Sequence, residues 1–216
     1  MSPKVKICGL RTASALTAAV RGGADYLGFV FYGPSPRNLS FCEAGELRLL
    51  VPPTVASVAL VVNADDAEIE RIIRVLGPGI VQAHGAETPE RIAAIKQRFG
   101  VHVWKALPVA SAGDIAAHRA YVGAADLVLF DARPPAGMKN ALPGGNALSF
   151  DWSLLADASI DMPWGLAGGL NPDNVAEAVR ITGAGLIDTS SGVESAPGVK
   201  DEALIAAFLE AAGSDG

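Results

Sequence analysis

The chain has 216 residues, of which 50% are hydrophobic and 19% are charged, and its net charge at pH 7 is −6. This length and apolar content can form a compact core, so we expect one domain over residues 1–216, with a frayed tail at about 212–216. The acidic balance, with scattered Lys and Arg, argues against nucleic acid as a partner. No segment has the ~20 apolar residues of a membrane helix or the apolar stretch of an N-terminal secretory signal, so we expect a cytoplasmic protein with no membrane partner.

Short apolar runs alternate with longer amphipathic segments along the whole chain. The runs predict eight strands, at residues 5–8, 26–31, 55–62, 80–84, 101–106, 127–131, 164–167 and 186–189. In DDAEIERIIRVLG, four apolar residues share one stripe of a helix: Ile69, Ile72, Ile73 and Leu76. TPERIAAIKQRFG opens with a threonine cap and a proline at the first helical position, and DEALIAAFLEAA closes the chain with a similar pattern.

This alternation predicts a single (β/α)8 TIM barrel with a parallel eight-stranded core. Apolar strands joined by crossover helices imply a parallel sheet that is covered on its outer face, and eight repeats fit a closed barrel of this length. A doubly wound open sheet is the alternative. It predicts a glycine-rich dinucleotide fingerprint after the first strand, whereas CGLRTAS has one glycine and no GxGxxG.

Polar residues end several of the apolar runs, at the positions where such barrels collect their chemistry: Cys8, Asn63, His84, Asp131 and Asp188. Strand ends are polar in any case because the chain leaves the core there, and we interpret Asn63 in this way. A histidine in this position is as often a structural hydrogen-bond partner as a substrate contact, and both interpretations of His84 stay open.

Cys8 and Asp131 have the chemistry of an acid and base pair. An isomerisation of the carbonyl type needs one group to remove a carbon-bound proton and another to protonate an oxygen. Strand alternation puts Lys6 on the same inward face as Cys8, and a nearby ammonium favours the thiolate. Cys42, in SFCEAGELRLL, has no such neighbour, and we assign it to packing. The two cysteines lack metal-type spacing, so neither structural zinc nor an oxidising compartment is indicated.

Two lysines are predicted to point into the barrel. Alternation in VKIC and VHVWKAL turns Lys6 and Lys105 inward beneath the catalytic face. Because an unpaired ammonium there is costly, we expect both to find carboxylate or carbonyl partners, with Asp188 as the candidate acid.

Two glycine-bearing segments follow the seventh and eighth strands, where many barrels of this kind bind phosphate. Glycines let backbone N–H groups approach an anion, and a short helix after the eighth strand would favour negative charge at its N-terminus. Asn171 and Pro172 predict the start of another helix. The predicted anion-binding residues are Gly168, Gly169, Ser190, Ser191 and Gly192.

The chain as a whole resembles the phosphoribosylanthranilate isomerase family of tryptophan biosynthesis. The segments that carry the resemblance are VKICGLRT, GADYLGFVFYGPSPRNLS, VVN, VQAHG, FDA, GGNALSFDW, LAGGLNPDNV and DTSSGVESAPGVKD. The resemblance implies a (β/α)8 barrel that converts N-(5′-phosphoribosyl)anthranilate into 1-(2-carboxyphenylamino)-1-deoxyribulose 5-phosphate. This Amadori rearrangement needs neither cofactor nor metal in the family.

The resemblance also implies roles for individual residues. Cys8 is the expected general base, Asp131 the general acid, and Arg37 of PSPR the clamp on the anthranilate carboxylate, to which a guanidinium can offer two parallel donors. Four residues map to the phosphate loops, namely Gly168, Gly169, Ser190 and Ser191. Asp131 must carry a proton when it acts, which an apolar setting or a nearby negative charge would favour.

The sequence departs from the family pattern in one loop. The family commonly has GGTG before FDW, and Asn146 and Ala147 replace its last two residues here, close to the expected anthranilate ring. The segment ARPPAGMKNALPGGNAL, rich in glycine and proline, is predicted to be a mobile active-site loop.

Two other functions remain open from the sequence. One is another sugar-phosphate isomerase on the same barrel, of the histidine-pathway type, although that activity typically pairs two aspartates and Cys8 counts against it. The other is a phosphate-binding barrel without catalysis. Whether the chain is a monomer or a homodimer is also open.

Overall fold

The computed structural model describes residues 2–135, 142–146 and 148–213. Eight parallel strands close a barrel in chain order, and β8 pairs with β1, which confirms the predicted fold. The strands are β1 Lys4–Cys8, β2 Tyr26–Phe31, β3 Ala56–Val61, β4 Ile80–Ala83, β5 His102–Val109, β6 Leu127–Ala132, β7 Trp164–Leu166 and β8 Leu186–Thr189.

Helices follow the strands and cover the barrel. They are α1 Ala13–Arg21, α2 Phe41–Arg48, α3 Asp66–Leu76, α4 Pro89–Phe99, α5 Ala112–Ala116, α6 Ser153–Ala156, α7 Val175–Thr182 and α8 Glu202–Gly213. As predicted, the Thr88 side chain caps α4 and Pro89 is its first residue. Among the described residues, no helix is long and apolar enough to cross a membrane.

The chain between β8 and α8 forms a short hairpin. A single 3-10 turn, Ser191–Val193, leads into β9 Glu194–Ala196, which pairs antiparallel with β10 Val199–Lys200. Residues 212 and 213, expected in a frayed tail, are the last two residues of α8, and residues 214–216 lie outside the described ranges.

Alternate residues of each strand pack into two separate apolar layers. One layer lies between the strands and the helices, and the other fills the barrel with side chains from several strands. The interior layer includes Val58, Ile80, Trp104, Ala106, Leu129 and Leu186, and a further interior cluster contains Cys8, Val30 and Leu60. Each large one stabilises the fold by about 1.5–3 kcal/mol through burial.

Lys105 lies on the outer face of its strand, so the prediction that it points inward is wrong. It alternates with Trp104 and Ala106, which fill the interior, and it shares its face with Val103 and Leu107 of the outer layer. The predicted partners are present. Lys105 Nζ donates to the Gly85 carbonyl at 2.6 Å and to Glu87 Oε2 at 3.1 Å.

Cys42 does not pack into the core. It lies on the exposed face of α2, whose buried residues are Ala44 and Leu47, and its Sγ is 3.8 Å from Glu46 Oε1. The sequence places a cysteine in a helical pattern but does not show which face of that helix is covered.

Candidate active site

A pocket opens at the carboxyl ends of the barrel strands. It is lined by most of the residues that the sequence singles out, namely Cys8, Arg37, His84, Asp131, Gly168, Gly169, Asp188, Ser190 and Ser191. Gly192 is the predicted site residue that does not line it. The parallel topology accounts for this convergence, because all eight strands end at the same rim.

Lys6 and Asp188 form a buried ion pair beneath the pocket. The register of β1 against β8 places them side by side, and Lys6 Nζ lies 2.9 and 3.0 Å from the two carboxylate oxygens. Burial lowers the pKa of Lys6, but the Asp188 carboxylate and Cys8 more than offset this, so the pKa lies above its ordinary value. The predicted partnership is therefore confirmed.

Cys8 is a buried thiol, and burial raises its pKa above the ordinary value. Lys6 and Lys200 act in the opposite direction, while Asp188 adds to the increase. The expected influence of Lys6 is thus present, but burial outweighs it, because Asp188 offsets the charge of Lys6 and Cys8 packs with the apolar side chains of Val30 and Leu60.

Asp131 is held at the end of β6 by short contacts. Its Oδ1 accepts a hydrogen bond from the Ala132 amide at 2.9 Å, and its Oδ2 lies 3.1 Å from His84 Nε2 without the alignment of a hydrogen bond. Gly168, at φ 90°, lies directly against it, and a Cβ there would be 2.9 Å from Oδ1. His84 therefore contacts the proposed acid, and Gln82 Nε2 lies 3.4 Å from the Nδ1 of the same ring.

Asp188 lies close enough to Cys8 and Asp131 to interact electrostatically with both. Burial raises the pKa of Asp188, Lys6 opposes this, and the Asp131 carboxyl adds to the increase. Since Asp188 also raises the pKa of Cys8, the sulfur and the two carboxyl groups belong to one electrostatic cluster.

The two predicted anion-binding segments meet through the Leu170 carbonyl. Thr189 Oγ1 donates to that carbonyl at 2.7 Å, and a Cβ at Gly192 would overlap its oxygen. Gly192 therefore joins the loops and does not face the pocket. The predicted short helix after β8 is only the 3-10 turn, which begins at Ser191.

The predicted helix start at Asn171 and Pro172 is wrong by one turn. Its helix, α7, begins at Val175. The Asn171 side chain instead accepts the amides of Asp173 and Asn174, so these residues form a turn before the helix.

Arg37 is buried, and two donor nitrogens of its guanidinium already bind a carboxylate of the protein. Nε and Nη2 donate to the two oxygens of Glu194, each at 2.8 Å, and Nη2 also donates to the Gly145 carbonyl at 3.1 Å. The expected pair of parallel donors for a ligand is thus taken by Glu194. Nη1 makes no hydrogen bond to the part of the chain that the structure describes.

Five polar residues at the site are not predicted from the sequence: Tyr32, Ser35 and Thr189 line the pocket, and Glu194 and Lys200 are buried in the hairpin after β8. Lys200 Nζ donates to Glu194 Oε1 at 2.6 Å and to the Ser190 carbonyl at 2.9 Å. A signal was available, since two charged residues stand among small ones in GVESAPGVK, but their burial depends on the hairpin.

Asn146 has a structural contact in its loop. Its side chain accepts the Leu142 amide at 3.1 Å and donates to the Leu142 carbonyl at 2.8 Å, which closes a turn beside the pocket. Ala147 and residues 136–141 of the predicted mobile loop lie outside the described residues. Within the described ranges, no group of three His, Cys, Asp or Glu side chains is arranged to hold a metal ion.

The other two histidines lie outside the pocket. His102 is exposed and 3.6 Å from Asp126, while His118 is buried and contacts the Ile115 carbonyl at 2.7 Å. Neither histidine therefore takes part in the candidate site.

Comparison with known proteins gives one consistent family. The family model described as N-(5'phosphoribosyl)anthranilate (PRA) isomerase matches residues 5–211. The isomerase of Parvibaculum lavamentivorans is 53% identical over 98% of this chain and 99% of its own length. That of Cereibacter sphaeroides is 53% identical over 97% of this chain and 98% of its own length.

Solved structures agree with the sequence relatives. The phosphoribosyl anthranilate isomerase of Thermotoga maritima has a TM-score of 0.87 and 33% identity, over 97% of this chain and 98% of that one. A second isomerase structure, in complex with reduced 1-(o-carboxyphenylamino)-1-deoxyribulose 5-phosphate, has a TM-score of 0.84 and 32% identity, with the same coverage.

Proposed function

Because the chain belongs to the N-(5′-phosphoribosyl)anthranilate isomerase family, we propose that Cys8 and Asp131 carry out the proton transfers of its reaction. The protein is an isomerase of tryptophan biosynthesis, which converts N-(5′-phosphoribosyl)anthranilate into 1-(2-carboxyphenylamino)-1-deoxyribulose 5-phosphate. The observation that carries the proposal is that a thiol and a carboxyl group line the same pocket as the loops after β7 and β8.

Asp131 acts first, as the general acid. In its protonated form it gives a proton to the furanose ring oxygen while the bond between that oxygen and C1′ breaks, which leaves an iminium ion. Since the iminium withdraws electrons, the proton on C2′ becomes acidic. A positioned acid of this kind contributes roughly 10²- to 10⁴-fold.

Cys8 acts second, as the general base. The thiolate removes the C2′ proton, and the electron pair neutralises the iminium to give an enolamine, which tautomerises to the aminoketose. Lys6 and Lys200 lower the pKa of Cys8, against the effect of burial, and the cationic iminium would favour the thiolate in the same direction.

The remaining pocket residues hold the two ends of the substrate. Backbone amides of Gly168, Gly169, Ser190 and Ser191 bind the phosphate, which glycine-bearing loops can do on an acidic protein. Arg37 binds the anthranilate carboxylate, while His84 and Asp188 contact the sugar between acid and base. The phosphorylated small molecule is the proposed partner, and the cytoplasm is the proposed location.

Complementation of a bacterium that lacks only this isomerase tests the two roles. We expect the gene to restore growth without tryptophan, and Cys8→Ala and Asp131→Asn each to abolish it, with kcat lowered by about 10²- to 10⁴-fold in the purified variants. Thermal unfolding of each variant controls for loss of fold. Growth supported by both variants would contradict the assigned roles while leaving the family membership intact.

A further inference from the structure

A buried carboxylate lies between two cations in the hairpin after β8. Glu194 contacts Arg37 on one side and Lys200 on the other, and all three side chains are at most 5% exposed. The distances are 2.8 Å from Arg37 Nε and 2.6 Å from Lys200 Nζ to the same oxygen, Oε1. The Gly198 amide of the hairpin donates to Oε2 at 3.1 Å.

Each of the two cations leads to a different part of the pocket. Arg37 lines the pocket itself. Lys200 donates to the carbonyl and the hydroxyl of Ser190, at 2.9 and 3.2 Å, and the Ser190 hydroxyl donates to the Cys8 carbonyl at 3.1 Å. Glu194 therefore connects two parts of the proposed site. Arg37, on one side, is proposed to bind the substrate carboxylate, and the Ser190 loop, reached through Lys200, is proposed to bind the substrate phosphate.

The ionised Glu194 carboxylate reduces the charge of this cluster from two positive charges to one. Burial raises the pKa of Glu194, but Arg37 and Lys200 outweigh burial and hold it below its ordinary value. Without that carboxylate, two buried cations would face each other, and an uncompensated buried charge is strongly unfavourable. Burial already lowers the pKa of Lys200, so Lys200 would then lose its proton, or the Arg37 guanidinium would turn away from it.

The donors of Arg37 can be counted one by one. A guanidinium has five N–H groups. The one on Nε and the two on Nη2 are used by Glu194 and Gly145, so the two on Nη1 are the pair with no acceptor among the described residues. The orientation imposed by Glu194 thus leaves Nη1 as the nitrogen whose donors are unused by the described residues.

We propose that Glu194 is a positioning residue, which turns the Arg37 guanidinium so that Nη1 receives the anthranilate carboxylate. The inference rests on the proposed role of Arg37 and extends it. Glu194 does not touch the substrate and acts through Arg37, so its effect should appear only with ligands that carry the carboxylate. The Ser190 loop, held by Lys200 from the other side, should be affected much less.

Binding of two ligands that differ only in this carboxylate tests the proposal. The first is reduced 1-(o-carboxyphenylamino)-1-deoxyribulose 5-phosphate, and the second is the same compound without the ring carboxyl group. Titration calorimetry gives Kd for the wild-type protein, Glu194→Gln, Arg37→Met and the double variant. Glu177→Gln, at an exposed glutamate of α7, is the matched control.

We expect Glu194→Gln to weaken binding of the carboxylated ligand about tenfold, the effect of about one hydrogen bond to a charged group, and binding of the other ligand less than threefold. In the Arg37→Met background, Glu194→Gln should add nothing further, because the residue through which it acts is gone. Glu177→Gln should bind both ligands as the wild type does.

Three outcomes would overturn the proposal: unchanged or tighter binding of the carboxylated ligand, an equal loss for both ligands, or additive effects of the two substitutions. If Glu194→Gln fails to fold, Glu194→Asp takes its place under the same criteria. Aspartate keeps the negative charge, but its side chain is one methylene shorter, so its carboxylate lies further from Arg37. A wild-type protein that binds neither ligand would overturn the proposed function as well. Normal wild-type binding without dependence on Glu194 would overturn this inference alone.

Discussion

Cys8 is a buried thiol with two cations nearby, and burial has the larger effect on its ionisation. In the folded protein, the thiol therefore keeps its proton to a higher pH than it does in the unfolded chain. This property suits a base that must be protected from unwanted reactions and that ionises when a cationic intermediate forms beside it.

Titration of the thiol checks this directly. In a Cys42→Ser variant, Cys8 is the only cysteine, and the ultraviolet absorbance of the thiolate follows its ionisation. We expect the midpoint in the folded protein to lie above that of an ordinary thiol, because the pKa of Cys8 is raised, and to fall to the ordinary value in denaturant. A folded midpoint below the unfolded one would show that Lys6 and Lys200 outweigh burial.

Some residue contacts follow from the sequence and others do not. Lys6 and Cys8 share a face because alternation along one strand is local, and the partnership with Asp188 follows once the barrel closes. Glu194 reaches Arg37 across 157 positions of sequence through a hairpin whose register no local pattern encodes. Alternation along β5 does not by itself show which set of residues faces inward. Trp104 fills the interior, so the neighbouring Lys105 lies on the outer face.

At the scale of elements, the strands are predicted well and their connections are not. The predicted bounds of β2 and β8 agree with the structure at both ends, since an apolar run is the signal of a strand buried on both faces. β5 continues to Val109, three residues past its predicted end. The loops after β7 and β8 depend on contacts with each other, which no single segment contains.

A substitution at Gly192 tests whether the loops after β7 and β8 must lie in close contact. Gly192→Ala places a methyl group on the Leu170 carbonyl oxygen, so the loops must separate. We expect the affinity for inorganic phosphate, measured as a competitive inhibitor, to fall at least about tenfold, and stability to decrease by about 1–3 kcal/mol from overpacking.

Gly185→Ala is the matched control for this loop contact. The glycine precedes β8, and a Cβ there has no neighbour within 4 Å. The control should change phosphate affinity little. If Gly192→Ala bound phosphate as well as the control does, the proposed phosphate site would not depend on the contact between the two loops.

At the scale of the whole molecule, the Lys6 and Asp188 pair lies where the barrel closes. It joins the first strand to the last across 182 positions of sequence, with the ammonium fully buried. Lys6 also favours the thiolate of the proposed base, and Asp188 lines the pocket, so closure of the fold and assembly of the site depend on one contact.

Removing either partner should destabilise the whole barrel. Lys6→Met leaves a buried carboxylate without its cation, and we expect the free energy of unfolding in urea to fall by about 3–5 kcal/mol. The double variant Lys6→Met and Asp188→Leu should recover most of this loss, because an apolar pair carries no desolvation cost.

An exposed pair on α3 provides the comparison. Arg74 and Glu70 are both more than half exposed, so Arg74→Ala should cost no more than about 1 kcal/mol. A Lys6→Met variant as stable as Arg74→Ala would show that the buried pair does not hold the barrel closed.

Closure of β1 against β8 also bears on how the protein is made. The strand that carries the thiol leaves the ribosome before the other seven strands of the barrel, and β8, which closes the barrel against it, emerges only after some 180 further residues. Until then, one edge of the nascent sheet has unpaired amides and carbonyls, together with an ammonium that has no counter-ion. A chain released before Asp188 is translated would therefore lack both the closing strand and the buried ion pair, and its open strand edge would favour aggregation.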